Sequence, residues 1–325
     1  MAAVRCCKPL PQISIPIQFR RPGQSIRPLV RVVSEVARAV AEGRPVVALE
    51  TSVFAQGLPI PANREAADRM IHAVRSRGAV PAITAVSDGV PTVGLEPPDL
   101  ERFLTRDGVH KVSARDIPIA IASGVDGATT VAASIALATL VGIDVFATGG
   151  IGGVHHGSPV DESADLIELS RTPIVCVCAG AKSILDLSAT WERLETLGIP
   201  VVGYRTDELP GFFTSATGIK LTARAEHAAE IARIFEAHVG VGRTQALLVV
   251  NPPPAEHALG WGEVDRAVQQ ALADARRAGI GGPALTPFLL ASLAQATGGR
   301  SLPVNLALLE SNAALAGEIA AAIRA

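Results

Sequence analysis

The chain has 325 residues and a formal net charge of −2, so it lacks the basic surface that general nucleic-acid binding demands. Hydrophobic residues make up 48% of it and aromatic residues only 3%, so the core must be aliphatic, with room for one large α/β domain or two smaller ones. No apolar run reaches the ~18 residues of a membrane span. Residues 1–34 hold six Lys or Arg and no acid. They read as a basic, disordered extension over 1–30, although a transit peptide has the same arginine-bearing, acid-poor character. From residue 31 onward no repeat or linker interrupts the pattern, which predicts a single domain over 31–325. A helix is predicted over 30–43, then a short apolar strand over 46–49 followed directly by Glu50, Thr51 and Ser52. An amphipathic helix follows over 63–77 with Asn63 as its N-cap, then a strand over 80–86 and helices over 98–106 and 129–140. Strands at 144–147, 174–178, 201–204 and 247–250 alternate with helices at 163–170, 182–197 and 225–239. Helices at 262–278, 286–297 and 303–324 finish the chain. Such alternation predicts a three-layer α/β/α fold with a central mixed, largely parallel sheet. Of the four cysteines, Cys6 and Cys7 lack zinc-ligand or CxxC spacing, and Cys176 and Cys178 alternate in an apolar strand. They read as thiols of a reducing, cytoplasmic compartment.

In parallel sheets, sites gather at the C-terminal ends of strands. Several chemically distinctive residues fall at predicted strand ends: Glu50, the glycine-rich 149–157, Lys182, Thr206 with Asp207, and Asn251. Only Lys8, Lys111, Lys182 and Lys220 are lysines among 29 basic residues, and the rest are arginine. Arginine supplies charge but never loses its proton, so a lysine kept in such a chain suggests nucleophilic use. An ordinary lysine is neutral in only about one molecule in a few thousand at pH 7. A nucleophilic one needs a less polar pocket or a second cation nearby, and Lys111 is a candidate for the latter. The glycines form neither GxGxxG nor a Walker A motif, which leaves close backbone approach to a ligand as their reading.

Ten segments, in order, carry a resemblance. They are ALETSVFAQGLP, GAVPAITAV, HKVSARDIP, GATTVAASI, VFATGGIGGVHHG, SADLIELSRTP, VCAGAKSILD, LETLGIPVVGY, TPFLLASLAQATGGRSL and SNAALAGEIA. Together they resemble the pseudouridine-5′-phosphate glycosidase family, also called indigoidine synthase A-like, over residues 31–325. The resemblance implies reversible cleavage of pseudouridine 5′-phosphate to uracil and ribose 5-phosphate. The bond broken is carbon–carbon, so protonating a leaving heteroatom cannot suffice. The resemblance implies an imine between Lys182 and C1′ of the opened ribose, with the imine nitrogen as electron sink and uracil protonated at C5 as it leaves. It makes Glu50 the general acid/base and Lys111 a phosphate or ribose contact. Val131 becomes a backbone contact, with Thr129 and Thr130 at the same helix N-terminus. Ser163, Ala164 and Asp165 become substrate-lining residues, His155 a phosphate contact, and Asn305 a residue near the site. Asp161 becomes a ligand for Mn²⁺ or another divalent cation, for which a hard carboxylate is suited. It implies no organic cofactor, a homotrimer, and no nucleic-acid or membrane partner. The segment HHGSPVDESAD is shorter than the family's usual loop, with His156 in place of an arginine and Glu162 as a further carboxylate. Thr51 and Ser52 invert the usual order, and Ser215 stands where an arginine is frequent.

Two other readings use the same residues. One is a Schiff-base lyase or aldolase acting on another sugar phosphate, which its product pattern would distinguish. The other is a non-catalytic sugar-phosphate-binding protein, against which the joint presence of Lys182, Glu50 and Asp161 argues.

Overall fold

The strand before Glu50 is buried at every position, which requires cover on both faces of its sheet. The computed structural model describes residues 30–157, 160–281 and 285–325, so the predicted N-terminal extension, with Cys6 and Cys7, lies outside the described residues. Eleven strands form one sheet: β1 (Arg31–Val32), β2 (Val46–Glu50), β3 (Val80–Ser87), β4 (Val90–Val93), β5 (His110–Val112), β6 (Gly127–Thr129), β7 (Val145–Ala147), β8 (Val175–Cys178), β9 (Val201–Tyr204), β10 (Arg224–Ala225) and β11 (Leu247–Val250). The main order is β1-β4-β3-β2-β7-β8-β11-β9-β10, with β5 and β6 attached beside β3. All pairings are parallel except those of β3 with β4 and with β6, so the predicted mixed, largely parallel sheet is what forms.

The helices are α1 (Ser34–Ala41), α2 (Ala62–Ser76), α3 (Pro97–Thr105), α4 (Ile117–Ser123), α5 (Val131–Leu140), α6 (Ala164–Leu169), α7 (Leu187–Thr196), α8 (Ala228–Gly240), α9 (Trp261–Arg277), α10 (Leu285–Ala296) and α11 (Ser301–Ile323). The last is long and apolar enough to cross a membrane by length and composition. It is instead a core helix, largely buried, packed on α2, α8 and the strands β2, β7 and β8. The aliphatic core predicted from composition runs through one continuous cluster from Val36 to Ala320.

Several predicted boundaries move, each for a local reason. The first helix starts at Ser34 because β-branched Val32 and Val33 prolong an extended entry, where β1 pairs with β4. Asn63 does not cap α2. Its amide sits inside the first turn and donates to the carbonyls of Phe54 and Leu104. Thr129 belongs to β6 and α5 begins at Val131, since the Thr129 N–H is taken by the Thr51 hydroxyl. The helix predicted from residue 182 begins at Leu187, where Asp186 accepts from the Ala189 N–H as N-cap, so Lys182 lies on a loop. The helix predicted over 225–239 begins at Ala228, because Ala225 pairs in β10. Strands β1, β4, β5, β6 and β10 span two to four residues each and lack the apolar runs that reveal the equally short β7, β8, β9 and β11.

The loop after β8 is zipped to the glycine-rich turn after β7. The Ile151 N–H donates to the Gly180 carbonyl and the Lys182 N–H to the Ile151 carbonyl, both at 3.1 Å. Gly180 makes this possible with φ of +88°, and a Cβ there would lie 2.2 Å from the Pro210 carbonyl oxygen. Gly180→Ala is therefore expected to destabilise the fold by about 2 kcal/mol or more, read as a lowered midpoint in denaturant unfolding.

Candidate active site

The sequence-distant residues after β2, β5, β6, β7 and β8 meet around one cavity at the C-terminal rim of the sheet. It has two lobes, of about 370 and 560 Å³, within the size range of small-molecule sites. Glu50, Ser52, Lys111, His155, Lys182 and Thr286 line both. The first lobe adds Val131, Ser163, Ala164 and Asp165 with Arg115 and Thr130. The second adds Asp161 and Asn305 with Thr148, Phe212 and Leu290. The ten residues given a catalytic, substrate or metal role by the resemblance thus border this cavity, while Thr129 turns into the sheet. Of the other strand-end residues, Asp207 pairs with Arg224 at the surface, and Asn251 bonds Asn312 rather than lining a lobe.

Glu50 ends β2 and is 5% exposed. Its two carboxylate oxygens each accept a hydroxyl, one from Ser52 and one from Thr148. Burial pushes its pKa up, opposed by the nearby Lys182 ammonium and by the two hydroxyl bonds. Thr51, by contrast, turns inward: its hydroxyl donates to the Thr84 carbonyl and accepts from the Thr129 N–H. The Thr51–Ser52 inversion thus still leaves one hydroxyl on the glutamate. Lys111 is exposed to the cavity, whose walls remove only part of the water around its ammonium. That loss of hydration, and next the Lys182 charge, push its pKa below the ordinary lysine value. Of the other described lysines, Lys220 is at the surface, bonded to Glu208.

Asp165 does more than line a wall. Its carboxylate accepts from the Gly152 N–H at 2.9 Å and the Ala132 N–H at 3.0 Å, joining the glycine turn to the start of α5. Ser163 caps α6 by accepting from the Asp165 N–H. A Cβ on Gly152 would fall 2.2 Å from the Ser163 hydroxyl, so this glycine is required by close approach. Two polar atoms at the cavity are buried without a partner among the described residues, Thr130 Oγ1 beside the first lobe and Asn305 Oδ1 beside the second. Buried orphan acceptors of this kind mark places where a ligand's polar groups fit.

The metal expectation fares differently. Among the described residues no three His, Cys, Asp or Glu side chains come together as a cation site. Asp161 is exposed at the second lobe, while Glu162 is held by Arg193 through two bonds of 2.7 and 2.9 Å, and Asp186 caps α7. These residues do not form a protein-built cage. The sequence alone also gives no sign of Thr148, Phe212 and Asn312. Threonine, phenylalanine and a mid-helix asparagine carry no chemical signature until the sheet register brings them to Glu50 and the glycine turn.

Fold and cavity define an α/β enzyme with a carboxylate and two lysines at one sheet rim. The chain belongs to the indigoidine synthase A-like family, whose model matches residues 35–322. It is 62% identical over 293 residues to the pseudouridine-5′-phosphate glycosidase of Gemmatimonas aurantiaca, covering 90% of this chain and 96% of that one. It is 50% identical to the enzyme of the same name from Herpetosiphon aurantiacus, covering 89% and 96%. Among solved structures it resembles the prealnumycin C-glycosynthase AlnA in complex with ribulose 5-phosphate, with a TM-score of 0.86, 41% identity and coverage of 92% and 98%. It also resembles an indigoidine synthase A-like protein of Thermotoga maritima, with a TM-score of 0.83, 40% identity and coverage of 91% and 97%.

Replacing Asp165 by alanine would leave two buried N–H groups unbonded. Asp165→Ala is expected to cost about 2–4 kcal/mol of stability by denaturant titration, with Asp165→Asn intermediate because its amide keeps one acceptor oxygen.

Proposed function

We propose that this chain reversibly breaks the carbon–carbon glycosidic bond of pseudouridine 5′-phosphate, giving uracil and ribose 5-phosphate in pseudouridine catabolism. The observation that carries the reading is the meeting of Lys182, Lys111 and the buried Glu50 in a two-lobed cavity. Its support from outside is the 62% identity to a pseudouridine-5′-phosphate glycosidase. A relative described with a bound pentulose phosphate supports a sugar-phosphate ligand. The first lobe, with Lys111 and Arg115, suits the ribose phosphate, on which a lysine acts as a point charge. The second, with Phe212, Leu290 and the unbonded Asn305 amide, suits a flat base with polar edges. Val131, Ser163, Ala164, Asp165 and His155 complete the sugar side.

In the cleavage direction, the neutral Lys182 amine adds to C1′ as the C1′–O4′ bond breaks; the ring oxygen leaves as the 4′-hydroxyl with a proton from Glu50, and the nitrogen's surplus proton then returns to Glu50. The nitrogen lone pair drives scission of the bond from C1′ to uracil C5, and C5 takes its proton from Glu50. The resulting imine is hydrolysed by water, freeing ribose 5-phosphate and the lysine amine. A second cation beside a nucleophilic lysine favours its neutral form, a part Lys111 can play as well as holding phosphate. We assign Asp161 to a divalent cation, Mn²⁺ by resemblance, with water and substrate oxygens completing a shell the protein alone does not supply. No step of the scission runs through it. The same reading takes residues 31–325 as one catalytic unit, assembled as a homotrimer in the cytoplasm.

Intact-mass measurement after ribose 5-phosphate and borohydride is expected to show a sugar-phosphate adduct on the native chain and none on Lys182→Arg. Lys182→Arg should also lose uracil release by at least ~10³-fold. Failure of the native chain to form any adduct, with Mn²⁺ supplied, would sink the covalent reading. Chelation should lower activity and Mn²⁺ restore it, and Asp161→Asn should be deaf to both; equal restoration in that variant would remove Asp161 from the cation site. In the bond-forming direction Glu50 must be ionised to accept the C5 proton. That rate is therefore expected to fall as pH drops through a midpoint above the ordinary glutamate value of ~4.3, and Glu50→Gln should lose the dependence together with the activity.

A further inference from the structure

A buried series of contacts leads along the sheet's C-terminal rim from the end of β11 to Glu50. The Asn251 amide donates to Asn312 Oδ1 at 3.0 Å. The Asn312 amide donates to the Thr148 carbonyl at 2.8 Å and the Gly149 carbonyl at 3.4 Å. The Thr148 hydroxyl in turn donates to Glu50 Oε1, and Ser52 donates to the other oxygen. Asn312 is 0% and Thr148 1% exposed. An asparagine so placed in the apolar helix α11 costs stability unless every polar atom is bonded, and Ala or Leu would serve packing as well. The sheet register explains the geometry: Leu49 lies opposite Ala147 in the parallel pair β2–β7, so the next residues, Glu50 and Thr148, come level. The Thr148 backbone is fixed from both sides, its N–H on the Val177 carbonyl and its own carbonyl on Asn312, and from that backbone its hydroxyl reaches Glu50.

We infer that Thr148 and Asn312 are positioning residues for Glu50. Thr148 aims one carboxylate oxygen while Ser52 holds the other, and Asn312 holds the backbone from which Thr148 does so. The assignment to a step of the reaction rests on the proposed function; the clamp itself does not. The charged and titratable groups around Glu50 are Lys182 and Cys176 from β8 and its loop, Lys111 from β5, Asp165 from α6, and His155 of the glycine-rich turn, which lines both lobes. All of them are kept in Thr148→Val, Thr148→Ser and Asn312→Ala.

The test compares Thr148→Val, which keeps shape and loses the hydroxyl, with Thr148→Ser, which keeps it. Isotope-edited infrared titration of the full chain without substrate follows the Glu50 carboxyl, with Glu50→Gln assigning the band. Because the lost hydroxyl bonds the ionised form, Thr148→Val is expected to move the Glu50 midpoint up by about one pH unit, and Thr148→Ser to return it. In the bond-forming assay Thr148→Val should lower kcat ~10- to 100-fold with KM for both substrates within about threefold. Borohydride trapping at Lys182 should persist. Asn312→Ala should shift the midpoint the same way by less. An unmoved midpoint in folded Thr148→Val overturns the clamp. A lowered Tm in Asn312→Ala without a midpoint shift makes that residue merely structural and overturns its part. Should Thr148→Val not fold, Ser52→Ala applies the same titration to the other oxygen. A native chain without bond-forming activity would count against the proposed function, while the infrared midpoint still decides the clamp.

Discussion

A carboxylate removed from water is the constraint on which this cavity depends. An isolated buried carboxylate is costly, and Glu50 is buried at the end of a strand with neighbours on both sides. Its position is made tenable by a nearby ammonium and two hydroxyls, one from its own loop and one from the adjacent strand's end. The same confinement acts on Lys111 with opposite sign, since low hydration and the neighbouring Lys182 disfavour its charge. Burial thus presses Glu50 toward its neutral form while the Lys182 charge opposes it, and the carboxylates of Glu50 and Asp165 offset part of the opposite pressure on Lys111. Proton transfer between such groups and a substrate needs little rearrangement of solvent.

The sheet delivers this by register. Parallel strands β2, β7 and β8 end at one level, and the segments leaving them are tied to one another. Backbone bonds between the 149–154 turn and the loop carrying Lys182 fix the lysine's main chain, and Asp165 fastens the same turn to α5. Glycines at 152 and 180 are where this closeness leaves no room for a side chain. Lys182 thus sits on a loop, but on one tied down as an extension of its strand, whereas Glu50 and Lys111 lie on strands themselves.

Much of this is legible in the sequence because it rests on residue chemistry and strand ends. Glu50 after an apolar run, and a lysine in a chain that otherwise prefers arginine, are visible without coordinates. So is the alternation that forecasts a parallel sheet. The short strands β5 and β6 are not, because they lack an apolar run, and with them goes the reason Lys111 and Val131 stand together. The start of α7 is hidden because apolar Ile184 and Leu185 mimic a helical pattern that Asp186 in fact opens only later. Asn312 falls inside a resembling segment, SNAALAGEIA, but nothing in that segment gives it a role. Its use depends on a helix packing across β7, which local sequence does not encode.

The path of the chain has a consequence for its making. Glu50 lies early in the sequence, while Asn305 and Asn312 lie on a helix roughly 250 residues later. At ~5–20 residues per second on the ribosome, the segment finishing the pocket emerges on the order of tens of seconds after the glutamate strand. Lys182 is synthesised between the two. A nascent chain therefore carries its amine before it has the wall that supports the glutamate beside it. The last long helix thus closes the cavity only once residues beyond 300 have been made.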